Sequence, residues 1–207
     1  MQRTIYLMKV AKPFLSKGEL PMNQALIVID AQQALIDGTQ SEPEVVNKQQ
    51  LIQTINDVIN KAKAVSVPIV FIRDLDVAEG QGAGFQIHPD IDSSNPAAIF
   101  DKKATNAFYQ TPLLNFLQDQ HIEHIVIMGC KTEFCIDTAV RTATINKFDV
   151  TLIQNGHSTT DSPILKAEEI IAHHNRALHG HDNVDHFSLV RNSSEDIFVP
   201  IHNNYRE

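Results

Sequence analysis

The sequence predicts a doubly wound three-layer α/β/α sandwich on a mainly parallel sheet. Three observations carry that expectation. Short, wholly apolar runs such as Ala25–Ile29 (ALIVI) have the composition of strands buried on both faces. Segments with apolar residues at helical spacing lie between those runs. The two kinds of segment alternate about five times, which is the pattern of a parallel sheet covered by crossover helices.

In order, Ala25–Ile29 is the first strand and closes at Asp30. Ser41-Glu42-Pro43-Glu44 reads as a capping box with proline at the first helical position. Leu51, Ile55, Val58, Ala62 and Val65 continue at helical spacing, so a helix over the sheet is expected to start there. Pro68–Ile72 (PIVFI) is the second strand. Asp74–Asn95, rich in Gly, Asp and Pro, is expected as a long loop of the kind that lies over a site. Another short apolar run, Ile99-Phe100, precedes Lys102 and Lys103. Thr111-Pro112 caps a short helix with Leu113, Leu114, Phe116 and Leu117 inward, and His124–Met128 is the next strand. Phe134–Lys147 reads as helix and Val150–Ile153 as strand. Ser162-Pro163 opens a helix with Ile164, Leu165, Ile170, Ile171 and Leu178 on one face, and Phe187–Val190 is a candidate last strand.

The 207 residues suit one domain, expected over 22–207. Residues 1–21 read as an N-terminal extension. They carry Arg3, Lys9, Lys12 and Lys17 with no acid before Glu19, a faint transit-segment character, but Lys9 and Lys12 interrupt any secretory apolar core. A hydrophobic share of 43% with 20% charged residues is that of a soluble globular chain. No apolar run approaches the ~18 residues of a membrane span. The net charge of −8 argues against nucleic acid and anionic membranes as partners, because both require clustered Lys and Arg. A small molecule or another protein is the expected partner. Two cysteines are too few for a disulfide-stapled secreted domain, so a cytoplasmic location is expected.

Ligands of such folds bind beyond the carboxyl ends of the strands, which directs attention to polar residues there. Asp30, the pair Lys102 and Lys103, and Cys135 are the candidates. The spacing of Cys130 and Cys135 does not fit a C-x-x-C redox motif, and no ligand pairing for zinc is evident. Cys130 reads as a small buried hydrophobe. Cys135 is expected in the opening turn of a helix, where unpaired N–H groups and the dipole favour a thiolate. His173, His174, His179, His181 and His186 crowd one stretch without a convincing ligand register. His88 in the long loop is left outside the catalytic set.

The phrases VIDAQ (28–32), K-x-x-x-N-A-F (Lys102–Phe108) and G-x-x-T-x-x-C (Gly129–Cys135), in this order, resemble the cysteine hydrolases of the isochorismatase-like superfamily. The resemblance runs from about Met22 to Val199 and includes AHHN at Ala172–Asn175. It implies a catalytic triad of Asp30, Lys102 and Cys135, with Lys102 preferred to Lys103 by its distance from Ala107. It also implies an oxyanion hole from the backbone N–H groups of Lys131 and Cys135, with a cis peptide at Cys130–Lys131, and an oligomeric protein. The pocket is then expected from the 74–100 loop, Gln32, Phe108 and the surroundings of Thr132.

The chemistry these residues support is cleavage of an amide-type C–N bond in a small molecule. Asp30 takes the thiol proton and returns it to the leaving nitrogen, Lys102 favours the ionised forms, and water hydrolyses the thioester. Alternatives are a vinyl-ether hydrolase of the isochorismatase type, disfavoured by Cys135, and a non-catalytic binding or scaffold protein on the same fold. Nicotinamidases of the superfamily carry an Asp-x-His metal motif after the second strand. Here that place reads Asp74-Leu75-Asp76, so neither a metal nor another cofactor is expected.

Overall fold

The computed structural model describes residues 22–206. The expected extension 1–21 therefore lies outside the described residues. Seven strands form one sheet in the order β3-β2-β1-β4-β5-β7-β6. They are β1 (Gln24–Ile29), β2 (Ile69–Asp74), β3 (Ala98–Lys102), β4 (His124–Cys130), β5 (Asp149–Ser158), β6 (Asp182–Asn183) and β7 (His186–Arg191). Every pairing from β3 across to β7 is parallel, and only β6 runs antiparallel, against β7. The fold is the expected α/β sandwich.

Burial explains the wholly apolar runs. β1 and β4 are central, and Ala25–Ile29 and Ile125–Met128 are at most 1% exposed, so both strand faces need a cover. One face is covered by α1 (Gln33–Asp37) and α2 (Lys48–Ala64), whose Leu51, Ile55, Val58, Ile59 and Ala62 pack on Leu26, Val28 and Phe71. The short helix α3 (Gly82–Phe85) lies in the 74–95 segment. The other face carries α4 (Leu113–Asp119), α5 (Asp137–Ile145) and α6 (Ala167–Leu178). There Leu113, Leu117, Ala139, Val140, Ala143 and Leu178 meet Ile27, Ile127 and Leu152. Each fully buried leucine contributes on the order of 2 kcal/mol of apolar transfer. Among the described residues no helix is long and apolar enough to cross a membrane.

Two helix starts differ from the sequence expectation. The first begins at Lys48, not at Pro43. The Thr39 hydroxyl accepts the N–H groups of Ser41 and Glu42, while Val45 and Val46 donate to the carbonyls of Ile36 and Thr159. These bonds hold 41–46 outside the helix and tie it to the rest of the molecule. The second begins at Ala167. Ser162 uses its hydroxyl on the N–H groups of Ile164 and Leu165, a local turn, and the helix is capped where Glu169 accepts the Lys166 N–H. Ile164 and Leu165 are therefore exposed, at 88% and 43%, instead of facing inward.

The parallel order places a crevice where it is needed. From β1 the chain builds outward through β2 and β3, then returns to the opposite side of β1 as β4. The segments leaving β1 and β4 thus diverge at their carboxyl ends, which is where a doubly wound sheet opens a binding site.

Candidate active site

Asp30 is the first residue beyond β1 and has a left-handed backbone, φ 50°. Its N–H donates to the Ile72 carbonyl at 2.8 Å, tying the turn to the end of β2. Lys102 is the last residue of β3, directly opposite Asp74 in the β2–β3 register, so the two side chains share a face. Cys135 lies in the turn Thr132–Ile136, a widened helical turn that runs directly into α5. The peptide between Cys130 and Lys131 is cis, as expected.

These elements bring Asp30, Lys102 and Cys135 together. The Lys102 ammonium donates to Asp30 Oδ2 at 2.9 Å, to Cys135 Sγ at 3.4 Å and to Asp74 Oδ2 in a very short contact. An ammonium has three hydrogens, and here each has an acceptor. Asp30 and Lys102 are both 1% exposed and Cys135 is 8% exposed. Lys103 is exposed and takes no part. Sequence reading missed Asp74, because the phrase Asp74-Leu75-Asp76 was weighed only as a metal motif and the cross-strand register is not visible in the sequence.

Electrostatics correct one expectation. Burial, and then the Asp30 carboxylate, push the Cys135 thiol up to about 12, against the opposing pull of Lys102. The helical turn and the lysine do not yield a resting thiolate, because Lys102 is already shared by two carboxylates. Burial likewise lifts Asp30 to about 6, with Lys102 offsetting only part of that. Burial alone would lower Lys102, but Asp30, Cys135 and Asp74 together hold it above the ordinary lysine range. Asp30 Oδ1 is buried with no hydrogen-bond partner among the described residues. One oxygen each of Asp30 and Asp74 and the Cys135 sulfur lie within 4.8 Å of one another, a spacing that would suit a cation. The donor set is already organised around the Lys102 ammonium.

Above the sulfur opens a cavity of about 420 Å³. Asp30, Asp74 and Cys135 line it together with Lys131, Phe134 and residues of the 34–42 and 76–78 segments. Gln32, Phe108 and Thr132 do not line it, which corrects the expected substrate contacts. Gln32 is fully buried and clamps the loop backbone, donating to the carbonyls of Asp74 and Phe85 and accepting the Asp74 N–H. Phe108 stacks on Phe148 in the core. Thr132 is fully buried, its hydroxyl 2.9 Å from His157 Nδ1, and His157 Nε2 meets Asn175 Oδ1 at 3.0 Å. Burial lowers His157 to about 4, so the ring is neutral and bonds at both nitrogens. Gln32 and Thr132 are buried next to the site, tied to the Asp74 backbone and to His157, whereas Phe108 belongs to the core packing. The N–H of Lys131 has no protein acceptor among the described residues, and Cys135 lies within the opening helical turn, where the neighbouring Phe134 and Ile136 N–H groups donate to the Lys131 carbonyl.

Cys130 is fully buried in the core beneath α2, and burial raises its thiol well above the ordinary range. His88, at 5% exposure, is held by Asp37 and the Asp90 N–H, outside the cavity lining.

Residues 24–170 match the family model for the isochorismatase domain, and the chain belongs to the isochorismatase family. It is 24% identical over 144 residues to streptothricin hydrolase of Streptomyces noursei, a match covering 68% of this chain and 56% of that protein. The chain thus spans little more than half the length of that relative. It is 25% identical over 176 residues to the nicotinamidase of Escherichia coli (strain K12), covering 74% of this chain and 82% of the other. A crystal structure of an isochorismatase family protein superposes with a TM-score of 0.74 at 26% identity, covering 83% of this chain and 99% of that one.

Proposed function

We propose that the chain is a cysteine hydrolase that cleaves an amide-type C–N bond of a small molecule through a thioester on Cys135. The observation that carries this reading is the single ammonium of Lys102 joining Asp30 to the Cys135 sulfur at the floor of a cavity. The nicotinamidase likeness supports amide chemistry over vinyl-ether hydrolysis.

Because the thiol is neutral at rest, attack must be coupled to proton removal. A carboxylate at about 6 is matched to that task near neutral pH. Asp30 takes the thiol proton as sulfur bonds to the carbonyl carbon. Lys102 steadies the negative charge passing between them. The carbonyl oxygen gains the electron pair and is met by the N–H groups of Lys131 and Cys135, each such donor contributing on the order of 10²–10³ in rate. Asp30 returns its proton to the leaving nitrogen as the C–N bond breaks. Water, deprotonated by Asp30, then opens the thioester.

The test is direct. With a slowly turned-over amide, mass spectrometry should find an acyl group on the peptide that contains Cys135. Turnover without any such adduct, in quench experiments fast enough to catch it, would remove the thioester from the mechanism. The pH profile is a second expected outcome: kcat/KM should rise through about 6 as Asp30 ionises. It should then stay level into the mildly alkaline range, because Cys135 titrates only near 12. An acid limb near the ordinary aspartate value of 3.8 would show that Asp30 is not the base.

A further inference from the structure

The cavity over Cys135 carries more negative charge than the proposed triad uses. Asp30, Glu42, Asp74 and Asp76 all line it, whereas among the described residues Lys131 is the only cation in the lining. Lys102, beneath the floor, is shared by Asp30 and Asp74. Lys131 is engaged by Glu42 at 3.2 Å. Asp76 has no ion pair and its carboxylate no hydrogen bond among the described residues, since only its N–H is used, toward Asp74 Oδ1. With both lysines counted, four carboxylates face two ammonium groups. Arg73, the other nearby cation, is turned to Asp101 and to the face of Phe85.

A second feature points to a ligand that brings donors. Asp30 is one of the residues lining this cavity, and its Oδ1 is buried with no hydrogen-bond partner among the described residues. The volume of about 420 Å³ exceeds what a bare amide group needs, leaving room between the sulfur and the exposed carboxylates of Glu42 and Asp76. An anionic substrate would meet repulsion at the rim and would have to break Lys131 away from Glu42. A cationic one would find Asp76 unpaired.

We propose that the substrate is an amide carrying a positively charged group, an ammonium or guanidinium, that reaches the Asp76 and Glu42 rim while the amide lies at Cys135. This rests on the cysteine-hydrolase reading but is separable from it.

The experiment uses two readouts on the full chain. The first is thiol modification, which requires no turnover. Matched methanethiosulfonates bearing an ethylammonium or an ethylsulfonate group convert the Cys135 thiol to a mixed disulfide with release of methanesulfinate, and the modified peptide is identified by mass spectrometry. The cationic reagent should react about tenfold faster at low ionic strength after correction for the two rates on free cysteine, the advantage shrinking as salt screens the rim. Asp76→Asn and Glu42→Gln should each lower that ratio severalfold. The second readout is ammonia release from 4-aminobutanamide, butanamide and succinamate, where the cationic amide should show the highest kcat/KM. Equal modification rates, or faster reaction of the sulfonate, would overturn the proposal even if amides are hydrolysed. Cationic preference in modification without hydrolysis of any amide would leave the charge preference standing and sink the amidase reading. A ratio unmoved by both rim substitutions would overturn the assignment of Asp76 and Glu42.

Discussion

Cys135→Ala should lower kcat/KM on any amide substrate by at least ~10⁴-fold, because among the described residues no other thiol lines the cavity to carry the thioester. The fold should survive: the sulfur is a small group at the edge of the core, and Lys102 keeps two carboxylate partners. Retained turnover in this variant would refute the mechanism. Asp30→Asn should lose activity on a similar scale, yet it should behave differently toward heat. The folded-state pKa of Asp30 is raised, from 3.8 to about 6, so folding favours the neutral carboxyl. That favourable contribution is fully present below the unfolded value and is lost as pH rises through about 6. A neutral asparagine avoids the loss, so Asp30→Asn should be more stable than the parent above pH 6, by on the order of 1–3 kcal/mol, and nearly unchanged near pH 4. Thermal melts of both proteins at the two pH values check this. A variant that melts lower than the parent at pH 8 would show that the ion pair with Lys102 outweighs the burial of the charge.

Gly129→Ala should be the most damaging of the glycine-to-alanine changes among the described residues. Gly129 has φ 126°, a conformation that L side chains rarely adopt. A Cβ there would overlap the Ile29 carbonyl oxygen and stand 2.9 Å from the Ile29 nitrogen. Both are backbone atoms of the central strand, so neither can swing aside as a side chain can. Gly129 pairs with Ile29 in the sheet and immediately precedes Cys130, so relief must come from separating β1 and β4. The expected cost exceeds ~4 kcal/mol, seen as loss of soluble folded protein or a large drop in denaturation midpoint. A variant of near-parental stability would mean that the two strands part more easily than their packing suggests.

How much of this was legible in the sequence depends on the range of the interaction concerned. Strand runs such as Ala25–Ile29 and His124–Met128 announce themselves because burial on both faces excludes polar residues, and the phrases ending at Asp30 and Cys135 mark where the chain leaves the sheet. The helix starts at Lys48 and Ala167 did not show, since Ser and Pro residues that suit a cap suit a turn equally well. Contacts as distant as Val46 with Thr159 decide between them. The third partner of Lys102 was hidden for a related reason: Asp74 and Lys102 are 28 residues apart and meet only through the β2–β3 register. Pocket contacts were the least legible. Gln32 and Thr132 lie close to catalytic candidates along the chain, but the backbone turns them inward.

The irregularity in β5 separates two demands that one strand must meet. Ile127 pairs with Leu152, but Gly129 pairs with His157, so residues 153–156 stand against Met128 alone. Below this slack the strand serves the sheet; above it, His157 and Ser158 serve the turn beside Cys135. Gly156 makes the bend possible, for a Cβ there would press on Ile153 at 2.7 Å and on Met128 at 2.9 Å. The bulge works as an expansion joint. A change within 154–156, beyond the last residue that pairs with β7, should shift His157 and so reach Thr132 in the turn that holds Cys135, while the ladder from Val150 to Ile153 stays in place.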